Sequence, residues 1–245
     1  SLDGFEITRR IRRDGVRTGR RAWAAGILAL LAPFASPGCA TQPIRDAGVA
    51  TQPAVVSIVS RRARETEVGT GFLVAPDRVV TCRHAVVGAE AVTVRLADGR
   101  QVTALGVLAD PRTVDLVLLA VDPVGNVAPL GLSPGAPVIG QQLMIVGSRS
   151  GRAQSGAGAV VESAEMRWPG AGTVVRLRAY LGGGMSGAPA LDADGRVAAV
   201  VAQSTLDGAS GYGIPVRFVR ALVPGALEPM ATWGAPRARP STRSV

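Results

Sequence analysis

The chain has 245 residues, 47% of them hydrophobic, enough for one large all-β domain or two small ones that fold without covalent staples. Its two cysteines, Cys39 and Cys82, stand on opposite sides of an expected processing point, so no structural disulfide is expected in the mature protein. The formal net charge of +9 is concentrated at the two ends, aromatic residues make up only 4% of the chain, and no basic stripe is interleaved with them, which argues against nucleic acid as a partner.

In chain order, the first element reads as a targeting signal. Residues 1–21 carry seven arginines against Asp3, Glu6 and Asp14. Arg20-Arg21 then lead into the uncharged run Ala22 to Gly38, with Ile27, Leu28, Leu30, Leu31 and Phe34. The run is short for a membrane span of about 20 residues, and Pro33 and Pro37 would interrupt a spanning helix, so cleavage is favoured over a permanent anchor. Two finer readings stay open. Gly38-Cys39-Ala40-Thr41-Gln42-Pro43 resembles the maturation site of bacterial lipoproteins, which would make Cys39 the lipidated residue, although Ser36 stands where such sites usually have leucine. Arg20-Arg21 after Thr18 faintly resembles a twin-arginine export signal. Residues 1–40 are therefore expected to direct export to the periplasm or cell envelope, with membrane contact only through the signal or a lipid anchor.

Residues 41–53 read as a linker, with Ala-Thr-Gln-Pro at 40–43 and again at 50–53. Beyond it come short β-rich runs broken by Gly, Pro and Asp: Val55–Val59, Gly71–Val74, Arg78–Cys82, Ala91–Leu96, Gln101–Val107 and Leu116–Val121. Residues 123–140, with Pro123, Pro129, Pro134 and Pro137, read as a crossover between a first unit at 54–122 and a second at 141–223. The second unit offers Gln142–Val146, Gly158–Ser163, Thr173–Arg178, Ala188–Leu191, Arg196–Gln203 and Tyr212–Pro215, then a short helix at Val216–Leu222. Strands at short, regular intervals argue for an all-β sandwich or barrel architecture. Residues 224–245 show no pattern and read as a disordered tail.

The most restrictive fact for chemistry is a single histidine, His84. Any Ser-His-Asp machinery must use it, and every plausible nucleophilic serine lies downstream, which excludes the Ser-before-His order of an α/β-hydrolase. A base of this kind needs a buried carboxylate to hold its tautomer, and a nucleophile needs backbone amides converging on the developing oxyanion. Asp115 suits the first need, because it opens the apolar run Leu116 to Val121. Ser186 suits the second, because it sits in Leu181-Gly182-Gly183-Gly184-Met185-Ser186-Gly187-Ala188-Pro189. Asp110 is the next candidate for the acid. Cys82 is weighed as a rival nucleophile, but two residues from His84 it reads as a buried apolar filler. One histidine and two separated cysteines offer no zinc ligand set, and no cofactor is expected.

With these residues in place, the chain resembles the trypsin-like superfamily of serine proteases, and within it the bacterial HtrA/Deg proteases most closely. Gly69-Thr70-Gly71-Phe72-Leu73-Val74 resembles the family's glycine-flanked strand, Val79-Val80-Thr81-Cys82-Arg83-His84-Ala85-Val86 its His motif, Asp115-Leu116-Val117-Leu118-Leu119 its Asp motif and Gly184-Met185-Ser186-Gly187-Ala188-Pro189 its Ser motif. The resemblance covers about residues 54–222 and leaves no room for a PDZ domain. It implies a chymotrypsin-like fold of two six-stranded antiparallel β-barrels with a short C-terminal helix, and an endopeptidase acting on polypeptides. It also implies that the amides of Gly184 and Ser186 form the oxyanion hole, and that Val200–Ser204, through Val201, Ala202, Gln203 and Ser204, pairs with the substrate backbone. Tyr180, six residues before Ser186, stands where relatives that prefer Arg or Lys have aspartate, so small or medium apolar side chains are expected instead. Met185 replaces the family's usual Asp or Asn, Ala188 a common Gly, and Cys82 precedes the histidine. These departures keep one alternative on the page, a protease fold retained at the cell envelope as a non-catalytic binding scaffold. Nothing in the pattern fixes an oligomeric state.

Overall fold

β-branched and apolar residues recur in short runs from Val55 onward, and each run becomes a strand. The computed structural model describes residues 50–149, 152–205 and 208–233, all within the unit Pro37–Val245. The arginine-rich start, the apolar run, Cys39 and residues 234–245 lie outside the described residues. No helix among the described residues is long and apolar enough to cross a membrane.

The first barrel is built from β1 (Val55–Arg61), β2 (Thr66–Ala75), β3 (Arg78–Thr81), β4 (Ala91–Arg95), β5 (Gln101–Ala109) and β6 (Val117–Val121). Their order is β5-β4-β1-β2-β3-β6, and β5 pairs with β6 to close the ring. Every pairing is antiparallel, with Val56 opposite Gly71 and Val80 opposite Leu118. Phe72, Ile58, Leu73, Leu116 and Leu119 are fully buried inside it, each worth about 1.5–3 kcal/mol against exposure.

The second barrel uses β7 (Gln142–Arg149), β8 (Arg152–Val161), β10 (Gly172–Arg178), β11 (Pro189–Leu191), β12 (Val197–Ser204) and β13 (Ser210–Pro215). The order is β13-β12-β11-β7-β8-β10, and β13 pairs with β10 to close it. A short α1 (Arg217–Arg220) follows. The crossover contains one isolated bridge, Leu132 to Val197, and buries Val124 and Leu130. This is the chymotrypsin-like architecture that the resemblance implied.

Two strands were not foreseen. β9 (Met166–Trp168) adds a hairpin to β10, and β14 (Glu228–Pro229) pairs with Gly106 and Val107 of β5. The expected disordered tail therefore needs correction. Residues 224–233 are ordered against the first barrel, with Met230 and Trp233 buried. The physical reason is an open edge: β4 pairs with β5 only as far as Thr103, so the edge from Gly106 onward would be bare without β14. A bare alternation test misses this strand because it is two residues long and contains a proline.

Candidate active site

β3 ends at Thr81 and the chain turns at once. The amides of Val86 and Val87 both donate to the Arg83 carbonyl, at 3.1 and 2.9 Å, and Ala85 and Val86 are buried beneath the turn. His84 is left on the outer side with its side chain 44% exposed. Arg62, from the β1–β2 turn, donates to the carbonyls of His84 and Val87 at 3.2 and 3.1 Å and so holds the turn from outside.

Asp115 lies two residues before β6. Its carbonyl accepts the Arg83 amide at 3.3 Å, and its own amide donates to the Ala171 carbonyl in the β9–β10 turn at 3.2 Å. The buried carboxylate spends both oxygens on one residue: Oδ1 accepts the His84 amide at 2.8 Å and Oδ2 meets His84 Nδ1 at 2.5 Å. That pairing puts the ring proton on Nδ1 and leaves Nε2 as the acceptor. Burial works against the imidazolium, but the hydrogen bond and charge of Asp115, aided by Glu67, outweigh it and hold His84 above its ordinary pKa.

Ser186 sits between β10 and β11. Gly184 and Gly187 adopt φ of +88° and +86°, and a Cβ on Gly187 would collide with the Thr70 carbonyl and the Thr81 hydroxyl. Across this stretch the Met185 carbonyl accepts the Ala188 amide at 2.9 Å, and the Ser186 carbonyl accepts the Thr70 amide at 2.8 Å. The amides of Gly184 and Ser186 donate to no acceptor among the described residues, the state an oxyanion site requires. The Ser186 hydroxyl donates to the Ala202 carbonyl at 3.4 Å.

His84, Asp115 and Ser186 open onto one cavity of about 400 Å³, lined also by Ala202, Gln203, Ser204 and the hairpin tip Pro169, Gly170 and Ala171. β11 pairs with β12 only as far as Val200, and Val201 exchanges bonds with Gly187 and Ala188. Among the described residues the edge of β12 on the β11 side therefore has no backbone partner from Ala202 to Ser204. Two expected substrate contacts stand elsewhere. Val201 is buried in the second barrel, and Tyr180 is 71% exposed and does not line the cavity. The reason is local: Leu181 turns inward instead, its amide donating to the Gly208 carbonyl and its side chain taking the space beside Gly211.

Asp110, the alternative acid, is engaged by Arg83 at 3.1 Å and by Arg112 at 3.0 Å rather than by the imidazole. Cys82 is fully buried and its thiol donates to the Val201 carbonyl at 3.3 Å. Burial and the Asp115 charge push that thiol well above its usual range, so it stays protonated and unreactive. Cys82, His84 and Asp115 do bring ligand atoms within 4.8 Å of one another. The imidazole and carboxylate are already bonded to each other there, and a cation would have to break that pair. Sequence reasoning missed the Arg62 brace and the hairpin tip; only the Pro169-Gly170 turn signal pointed to the latter.

The family model of the trypsin-like peptidase domain matches residues 69–200. The chain belongs to this family. The chain is 30% identical over 233 residues to the serine protease Rv3671c of Mycobacterium tuberculosis (strain H37Rv), covering 85% of this chain. It spans 57% of that relative's length. The crystal structure of the Rv3671c protease in its active form superimposes with a TM-score of 0.69 at 28% identity, over 77% of this chain and 88% of that one. The HtrA-type protease AlgW with tripeptide shares the fold, with a TM-score of 0.64 at 21% identity over 72% of this chain and 61% of that one.

Proposed function

We propose that this chain is a serine endopeptidase in which His84, Asp115 and Ser186 act as one unit. The observation that carries the reading is the 2.5 Å contact between His84 Nδ1 and Asp115 in a cavity shared with Ser186. Ser186 Oγ attacks a peptide carbonyl carbon and its proton passes to His84 Nε2. The amides of Gly184 and Ser186 hold the oxyanion, and the C–N bond breaks as His84 returns the proton to the leaving amine. Water then attacks the acyl ester by the same route and frees Ser186. Asp115 keeps its proton balance unchanged and stabilises the imidazolium. In the resting state the Ser186 hydroxyl faces Ala202, so it rotates toward His84 when substrate arrives.

The substrate is an extended polypeptide laid along the open edge Ala202–Ser204 as an added strand. Among the described residues Asp115 is the only acid lining the cavity, and it is taken up by His84, so small or medium apolar side chains are preferred over basic ones. The arginine-rich start and apolar run of the sequence support export to the cell envelope, which mass spectrometry of the mature N-terminus tests, including lipidation of Cys39. Ser186→Ala is expected to abolish both peptide hydrolysis and labelling by a fluorophosphonate, and hydrolysis retained in that variant overturns the assignment. The scaffold alternative draws on the bond from Ser186 to Ala202; a folded wild type that binds peptides yet takes no fluorophosphonate would favour it.

A further inference from the structure

Thr70 is fully buried on β2 at the seam between the barrels, and every polar group it carries is committed there. Its amide donates to the Ser186 carbonyl at 2.8 Å. Its hydroxyl donates to the Gly184 carbonyl at 2.6 Å and accepts the Ser148 amide at 2.9 Å. Its carbonyl accepts the Thr81 hydroxyl at 2.7 Å. Ser148 is tied in turn to the first barrel by the Ser57 hydroxyl at 2.8 Å. One residue of the first barrel therefore grips the carbonyls on both sides of Met185, in a loop that belongs to the second.

The consequence lies in which peptide units can rotate. The Gly184–Met185 unit is fixed by the Thr70 hydroxyl, the Met185–Ser186 unit by the Ala188 amide, and the Ser186–Gly187 unit by the Thr70 amide. The Gly183–Gly184 unit, which supplies the Gly184 N–H, has no such bond of its own among the described residues. Its direction is set only through the fixed unit that follows it. Two consecutive glycines have wide backbone freedom, so the hydroxyl bond to Gly184 is what limits where that N–H can point.

We propose that Thr70 is a positioning residue for the oxyanion loop, acting through its hydroxyl on the Gly184 carbonyl. The proposal rests on the reading of Ser186 as nucleophile and of the Gly184 and Ser186 amides as oxyanion donors. It predicts a defect in stabilising the tetrahedral oxyanion rather than in binding substrate, because Thr70 lines no part of the cavity.

The test compares wild type, Thr70→Val, Thr70→Ser and Ser186→Ala on a peptide amide substrate, with fluorophosphonate labelling of each. Thr70→Val is expected to lower kcat roughly 10–100-fold with KM within about twofold, and Thr70→Ser to recover most of the loss. A peptidyl trifluoromethyl ketone labelled with ¹³C at the carbonyl reads the same effect without turnover. Its hemiketal should titrate at higher pH in Thr70→Val than in wild type or Thr70→Ser. Should the valine variant fail to fold, Thr70→Ala, which leaves space for water at the Ser148 amide, is set against Thr70→Ser by the same two readouts. A hydroxyl-free variant with wild-type kcat and an unshifted hemiketal overturns the inference on Thr70 alone. A wild type that takes no fluorophosphonate overturns the peptidase reading.

Discussion

Asp115 presents both carboxylate oxygens to His84, one to the backbone amide at 2.8 Å and one to ring Nδ1 at 2.5 Å. The first bond fixes where the histidine stands, and the second fixes which nitrogen carries its proton. Asp115→Asn would keep a carbonyl oxygen for only one of these, and an amide NH₂ facing Nδ1 stabilises the tautomer with the proton on Nε2. Loss of roughly 10³–10⁴ in kcat with a small change in the unfolding midpoint is the expected outcome. A loss below tenfold in single-turnover acylation would mean that Asp115 does not orient the base.

The pH dependence follows from the same pair. His84 must be neutral to accept a proton, and Asp115 holds it above its ordinary value of 6.5, so the acid limb of kcat/KM is expected to have its midpoint above 6.5. Stability runs the other way. A raised histidine pKa contributes stability that is fully present below the unfolded value and is lost as pH rises through the folded one. Peptidase activity should therefore climb across the interval in which the His84–Asp115 contribution to stability declines. A ¹H–¹⁵N titration of the imidazole alongside the rate profile checks both, and a ring that titrates below 6.5 in the free enzyme contradicts the assignment.

Trp233 closes the described chain beneath the turn that carries His84. It is 4% exposed, its ring lies 5.5 Å below the Arg83 guanidinium, and Arg83 is bonded to Asp110 beside His84 in sequence. Trp233→Ala is expected to cost about 3–5 kcal/mol in urea unfolding and to lower kcat several-fold by loosening Arg83. Trp233→Phe should be milder in both, since it keeps a ring under Arg83 and removes a buried Nε1–H that has no partner among the described residues. An unchanged midpoint for Trp233→Ala would show that residues 224–233 merely rest on the barrel.

How much was legible beforehand can be argued from single residues. That His84, Asp115 and Ser186 line one cavity could be anticipated because chemistry restricts them: there is one histidine, a carboxylate opening an apolar run needs a partner, and clustered glycines turn amides inward. The barrel strands were readable because β-branched runs alternate with turn residues. Tyr180 was misplaced because one-residue register in a loop depends on which side chain finds room, and that room is made by Gly211, some thirty positions away in sequence. β14 and Trp233 were invisible because their reason is the bare edge of β5, a tertiary fact. Thr70 was quoted only as part of a strand motif, and its reach to the Gly184 carbonyl across the seam has no local signature.

Met185 stands where relatives usually carry Asp or Asn, and the structure gives the substitution a physical setting. The side chain is 4% exposed, belongs to an all-apolar cluster with Ala188, Ile145 and Leu143, and its sulfur fills the space that a Cβ on Gly147 would occupy. The loop around Ser186 is thus held down by packing where a carboxylate would need a cation or amides to receive it. Met185→Leu should be tolerated, at less than about 1.5 kcal/mol. Met185→Asp should cost about 3–5 kcal/mol at pH 8, because it buries an unpaired charge. The cost of that aspartate should shrink as pH falls toward 4, since its buried carboxyl titrates above the unfolded value and gains a proton before the unfolded chain does. Unfolding midpoints for both variants at the two pH values decide the matter. An aspartate variant as stable as wild type at pH 8 would mean that a partner for the family's usual residue survives in this loop, and that methionine is not its anchor.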